Sequence, residues 1–146
     1  MRREIALLML VVMLSACAQS AKTENVADGS CSVEQSELVE KHIAGQIDAF
    51  VKKDWKRAYS FASEGFRKNI DIQQFILIIA NQYAMLVQNQ GYKFDKCEYE
   101  GGKITQQVEV TSNEKVYYLT YRVSISGTTL GIEAAVVGVA NTPVTV

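Results

Sequence analysis

Apolar residues recur at helical spacing through the first half of the chain, and local capping signals mark where helices begin. The first helix is predicted to begin at Ser32, because Ser32 and Gln35 can form a capping box. Its inward face is formed by Val39, Ile43, Ile47 and Phe50. Asp54 is a suitable N-cap for a short second helix that continues to about Ala62.

A third helix is predicted from Asp71, which forms a capping box with Gln74, to about Gln88. Its residues are apolar nearly all round, which is typical of a helix that is covered on most sides. From Tyr92 onward the apolar period changes to that of β-strands. Four strands are predicted at about 92–99, 104–110, 116–125 and 129–139, separated by turns at 101–102, 113–114 and 126–127. Three helices followed by an antiparallel meander predict an α+β fold.

The length and charge of the chain limit its possible partners. A chain of 146 residues is long enough for one domain, and its hydrophobic fraction of 48% predicts a packed core. The net charge of −1 does not favour a nucleic-acid partner, since such domains carry an excess of Lys and Arg.

The first sixteen residues have the order of an export signal. Arg2 and Arg3 precede an apolar run at 5–14, which is too short to cross a bilayer. The following segment, Leu14-Ser15-Ala16-Cys17, resembles the lipobox of bacterial lipoproteins. That resemblance implies cleavage before Cys17, lipid on the Cys17 thiol and attachment to a membrane. The alternative is an ordinary secretory signal that is cut after Ala18.

The predicted organisation is a signal peptide at 1–16, the lipidated cysteine with a flexible tether at 17–31, and an α+β domain at 32–146. No Asp follows Cys17, which favours the outer membrane, facing the periplasm, in an organism that has one. The polar residues 18–29 have no apolar period and can reach about 40 Å when fully extended.

The segment 54–67, which reads DWKRAYSFASEGFR, resembles the second-helix region of the nuclear-transport-factor-2-like (cystatin-like) superfamily. Within it, the chain is more similar to an uncharacterised bacterial family, domain of unknown function 4864, over roughly 33–139. This resemblance implies three helices packed on a curved four-strand antiparallel sheet, with a cone-shaped cavity between them. The last strand departs from the family, because Gly-Ile-Glu-Ala-Ala-Val-Val replaces a segment that usually contains tryptophan.

The superfamily places tyrosines and carboxylates in that cavity, which makes Tyr83, Tyr117, Tyr121 and Glu133 the candidates here. By strict strand alternation, Glu133 shares a face with Ala135 and Val137, and a carboxyl group enclosed by apolar side chains can act as an acid or a base. The alternative is that Glu133 faces solvent and that the tyrosines only pack in the core and at its rim.

The remaining polar candidates are few. Cys31 and Cys97 either form a disulfide, as an oxidising compartment would allow, or stay as two free thiols. His42 is the single histidine and has no second cluster of ligands beside it, so neither a metal nor a cofactor is expected. Lys52, Lys53, Lys56 and Arg57 form a basic cluster that fits either anionic lipid headgroups or a solvated helix end.

These observations favour a non-enzymatic envelope lipoprotein that binds a small apolar ligand in its cavity or a protein over its sheet, with a homodimer through the sheet face as one form of the latter. One alternative is a cavity enzyme of isomerase, dehydratase or hydrolase type that uses Glu133 with a tyrosine. Another is a structural subunit of an envelope complex.

Overall fold

The computed structural model describes residues 28–138. The predicted signal peptide, the lipidation site Cys17, the tether up to residue 27 and the predicted last strand residue, Val139, lie outside these residues.

The described chain has five helices and one five-stranded antiparallel sheet, so the α+β class is confirmed. The helices are α1 (Val33–Val51), α2 (Trp55–Ser60), α3 (Glu64–Asn69), α4 (Ile72–Gln82) and α5 (Ala84–Val87). The strands are β1 (Gly29–Ser30), β2 (Gly91–Glu100), β3 (Lys103–Ser112), β4 (Lys115–Ser126) and β5 (Thr129–Gly138). They lie in the sheet in their order along the chain. The predicted counts of three helices and four strands were therefore wrong by two helices and one strand.

Both predicted capping boxes are present. The Ser32 hydroxyl accepts from the Gln35 backbone N–H, and the Gln35 side chain accepts from the Ser32 N–H. Asp71 and Gln74 form the same pair of bonds before α4. These contacts satisfy backbone donors that a helix leaves free at its first turn, which explains why both helices begin where the sequence indicates.

The predicted third helix ends early, at Gln82. Tyr83 leaves the helical conformation with φ −129° and ψ 29°, and its hydroxyl donates to the Ala135 carbonyl of β5 at 2.6 Å. The chain then resumes a single helical turn as α5. A contact with a residue 52 positions away thus divides a segment whose local pattern is continuously helical.

The other helix that the sequence did not predict is α3, which Ser63 caps by accepting from the Phe66 N–H. It has six residues and buries none of them, so it leaves no apolar period to detect. The expectation that the third helix is covered on most sides was also wrong. Helix α4 buries only Phe75 and Ile79, and Leu77 on its outer side is 61% exposed.

The core lies between α1 and one face of the sheet. Helix α1 contributes the four apolar residues expected from its spacing, Val39, Ile43, Ile47 and Phe50, and all four are fully buried. The sheet contributes alternate residues of β3 and β4, namely Ile104, Val108, Val110, Leu119, Tyr121 and Val123. Burying each large side chain of this kind stabilises the fold by about 1.5–3 kcal/mol.

The start of the described chain is attached to the sheet edge at β1. Gly29 and Ser30 pair with Tyr99 and Glu98 of β2, and a disulfide joins Cys31 to Cys97 with their Cα atoms 5.4 Å apart. The sheet and the disulfide therefore include residues that precede the predicted domain boundary at Ser32. A strand of two residues has no periodicity, so its pairing depends on the partner strand and the adjacent covalent link.

Removal of the disulfide by the double substitution Cys31→Ser/Cys97→Ser should lower the free energy of unfolding by about 4 kcal/mol, because the bond closes a loop of 66 residues in the unfolded chain. Urea denaturation of the oxidised protein and the variant measures the difference. Reduced wild-type protein is the control and should match the variant. Titration of two free thiols in unfolded, unreduced wild-type protein would contradict the bond.

Candidate functional site

An apolar cavity of about 190 Å³ lies between the helices and the β4–β5 part of the sheet. Its walls are mainly aromatic and aliphatic side chains, including Phe50, Phe66, Phe75, Ile79, Leu86 and Ile132. The break at Tyr83 shapes this cavity. The Tyr83 side chain extends from the end of α4 to β5, where its hydroxyl donates to the Ala135 carbonyl.

The mostly apolar lining also includes the polar side chains of Gln46, Tyr83 and Tyr121. The Gln46 amide nitrogen donates to the Ala58 carbonyl at 3.2 Å, and Tyr83 is bonded to Ala135. Tyr121 differs from both, because its buried hydroxyl has no hydrogen-bond partner among residues 28–138. A buried polar group without a partner costs the fold about 1–3 kcal/mol.

The surroundings of Tyr121 keep its hydroxyl protonated. The side chain is fully buried, and this burial is the main cause that raises its pKa, with smaller contributions from Tyr83 and Tyr92. A neutral tyrosine hydroxyl can donate one hydrogen bond and accept another. Tyr121 therefore presents an unused donor and acceptor to an otherwise apolar space.

The tyrosines named from the sequence separate into two groups. Tyr83 and Tyr121 both line the cavity, whereas Tyr117 is half-buried and is not part of the lining. Gln46 was not among the predicted site residues. It lies one residue before the buried Ile47 on α1. Its hydrogen bond requires α2 to pack close enough for the Ala58 carbonyl to accept from it.

Glu133 does not follow the strict alternation assumed from the sequence. Ile132 lies opposite Val123 and Ala134 lies opposite Arg122, so Glu133 is the extra residue of a β-bulge. Glu133 is one of the residues that line the cavity, and its carboxylate forms an ion pair with Lys103. Lys103 lies on the sheet face opposite to that of the buried Ile104, so the bulge gives this carboxylate a partner outside the cavity.

Gln106 is a second buried polar residue that was not among the predicted site residues. Its amide nitrogen donates to the carbonyls of Asp95 and Gln107, at 3.1 and 2.9 Å, and thereby holds the β-bulge of β2. Its Oε1 atom has no partner among the residues that the structure describes. Gln106 shares a face with Ile104 and Val108, and this alternation was the available signal for its burial.

His42 is held by the backbone of the second helical segment. Its Nε2 atom lies 2.9 Å from the Phe61 carbonyl oxygen, and its ring meets the Phe61 ring edge-on. Because a carbonyl oxygen can only accept, Nε2 must carry the proton of this bond. Within residues 28–138, no group of three or more His, Cys, Asp or Glu side chains is placed to hold a metal ion.

The outer face of the sheet is mostly polar, with Thr105, Gln107 and Arg122 among its residues, and its exposed apolar side chains include Tyr118 and Val136. The predicted homodimer would use this face and stays a prediction. Over the part of the chain that is described, no helix has both the length and the apolar character required to cross a bilayer.

Burial lowers the pKa of His42, and its bond to Phe61 only partly opposes this effect. The folded state therefore favours the neutral ring. The resulting stability is fully present above the unfolded pKa of about 6.5 and is lost as the pH falls below it. Urea denaturation at pH 5 and pH 7 should show lower stability at pH 5, and His42→Gln should reduce this difference. An unchanged difference in the variant would show that His42 does not cause it.

The chain matches a protein-family profile and, more distantly, a solved structure. No curated protein matches it. The solved structure of Bdellovibrio bacteriovorus Bd1075 aligns with 13% identity and a TM-score of 0.45, and the alignment covers 71% of this chain but 40% of that one. A family profile matches residues 32–136, which include both cavity tyrosines and all five helices. The chain therefore belongs to the family described as Domain of unknown function (DUF4864).

Proposed function

We propose that this domain binds one small, mostly apolar molecule in the cavity and holds it by a hydrogen bond to Tyr121. We further propose that the protein is an exported lipoprotein, attached through lipid on Cys17 to the outer membrane and facing the periplasm. The ligand site and the anchor rest on different observations.

The unpaired hydroxyl of Tyr121 carries the proposal of a ligand site. A buried water needs two to four polar partners to be stable. Gln46 and Tyr83 each already donate one hydrogen bond to a backbone carbonyl, and most of the lining is apolar. A molecule with an apolar body and one polar atom matches this surface better than water, because it covers the apolar walls and pairs with the hydroxyl.

The size of the cavity limits the ligand. An engineered protein cavity of about 150 Å³ lined by apolar side chains binds benzene. The cavity here is about 190 Å³, so it suits a single ring or a short branched chain that bears one hydrogen-bonding atom.

The lipobox Leu14-Ser15-Ala16-Cys17 supports the proposed anchor, and the disulfide supports export, since such bonds persist in oxidising compartments.

The cavity between helices and sheet supports the proposed membership of the nuclear-transport-factor-2-like superfamily. The enzyme alternative gains no support from Glu133, because its carboxylate is paired with Lys103 instead of lying free beside a tyrosine.

The ligand site can be tested with the chain from Ala18 to Val146 and two probes of similar shape, cyclohexanone and methylcyclohexane. Only the ketone has an atom that can accept from Tyr121, so it should raise the melting temperature more than the hydrocarbon does. Tyr121→Phe should abolish this preference. The unliganded variant should keep or gain stability, by up to about 1 kcal/mol, because the substitution removes a hydroxyl without a partner.

Tyr117→Phe is the matched control, since Tyr117 lies outside the cavity lining, and it should retain the preference for the ketone. If neither probe stabilises the protein, or if Tyr121→Phe keeps the preference, the proposed site is wrong. Native mass spectrometry of the gently purified protein would also reveal a retained ligand. A ligand-free spectrum together with silent probes would favour a protein partner instead.

The anchor is tested separately by Cys17→Ser in the full chain. The wild-type protein should fractionate with membranes and carry the added mass of a lipid on Cys17. The variant should lack that mass and keep its signal peptide, because the modified cysteine defines the cleavage site in lipoproteins of this kind. Wild-type protein that is cut after Ala18 without any lipid would contradict the anchor and leave the ligand site unaffected.

A further inference from the structure

We propose that the surface at the junction of α1 and α2 docks on anionic phospholipid headgroups. This basic junction consists of Lys52, Lys53, Lys56 and Arg57, together with the neighbouring side chains of Val51 and Trp55. It is a second contact with the membrane, distinct from the cavity and from the lipid on Cys17.

The four cations of the basic junction form no salt bridge with the residues that the structure describes. All four are exposed. The acidic residue between them, Asp54, is used as the N-cap of α2, where it accepts from the Arg57 backbone N–H. The carboxylate of Asp54 offsets one of the four positive charges, so the surface keeps a net positive charge that is available to an anionic partner.

Folding of the chain does not account for all of this charge. Lys52 is the C-cap of α1, where a cation interacts favourably with the helix dipole. Lys56, however, lies in the first turn of α2, where a cation is unfavourable. Lys53 has a φ of 55°, in the left-handed region that favours glycine. Lys56 thus has its charge at a position where the helix dipole disfavours it, which indicates a role for this charge outside folding.

Apolar groups accompany these charges. Val51 is 48% exposed, and Trp55, the single tryptophan of the chain, is only partly buried against Phe50, with ring centroids 6.3 Å apart. Tryptophan favours the boundary between headgroups and acyl chains, and lysines near it attract anionic lipids. This combination fits a bilayer surface better than a nucleic acid, which offers no apolar layer for Val51.

The basic junction can reach a membrane to which the chain is also attached. Helix α1 has 19 residues, so its ends are about 28 Å apart. The chain between Cys17 and Asp28 can span about 40 Å at full extension. The proposed anchor would therefore leave enough chain for the far end of α1 to touch the same bilayer.

The test uses the chain from Ala18 to Val146, which contains every described residue and both cysteines of the disulfide but not the proposed lipid site. Vesicles of pure phosphatidylcholine are compared with vesicles that contain phosphatidylglycerol. The protein should sediment with the anionic vesicles at low salt and be released at high salt. Trp55 fluorescence should shift to shorter wavelength on binding, and the single tryptophan makes this signal specific to the basic junction.

The triple variant Lys52→Glu/Lys53→Glu/Lys56→Glu should lower partitioning into anionic vesicles by about a hundredfold, since each of the three lysines near such a surface contributes about fivefold. The matched control reverses Lys68, Lys93 and Lys96, which are exposed lysines already paired with glutamates. It changes the net charge equally and should retain most of the binding. Circular dichroism and thiol titration confirm that both variants fold.

Two results would overturn the proposal: no sedimentation with anionic vesicles at low salt, or an equal loss of binding in both triple variants, which would assign the effect to net charge. The Trp55 shift separates docking of this surface from contact elsewhere, so binding without a shift would also contradict it. None of these outcomes depends on lipid at Cys17 or on a ligand in the cavity, and failure here leaves both earlier proposals standing.

Discussion

The burial of one face of α1 against the sheet is the interaction on which the rest of the structure depends. Val39, Ile43, Ile47 and Phe50 recur at the spacing of one helix face and meet the alternate residues that β3 and β4 direct inward. Helices α2, α4 and α5 then pack around this layer instead of forming a core of their own. The cavity lies at one end of it, where Phe50 of α1 and Tyr121 of β4 leave space below α4.

Two irregularities give the cavity its chemical character. The break at Tyr83 divides a long apolar helix into two. It also directs the Tyr83 hydroxyl to a hydrogen bond with the Ala135 carbonyl of β5. The bulge at Glu133 pairs its carboxylate, which belongs to the acidic residue of the described lining, with Lys103. Tyr121 is left as the group without a partner among the described residues, which favours binding of a neutral molecule over acid–base chemistry.

The cavity and the basic junction are close to each other in the fold. Phe50 lines the cavity and also packs against Trp55, so one side chain separates the proposed ligand site from the proposed membrane surface. A protein held against a bilayer at this surface would have its apolar cavity near a source of apolar molecules. The two proposals remain independent, because one rests on an unpaired hydroxyl and the other on a net positive surface.

The sequence by itself determined the α+β class, both capping boxes, and strands within a few residues of their observed bounds, because caps, turns and periodicity act between residues close along the chain. It also named Tyr83 and Tyr121, although through a resemblance and without showing which hydroxyl is free. Tertiary structure alone decided where α4 ends and that residues 29–30 form the strand β1. It also decided on which side of the sheet Glu133 forms its ion pair, and that the Tyr121 hydroxyl has no partner among the described residues. Each of these depends on atoms brought together from distant positions, and local propensity contains no information about such partners.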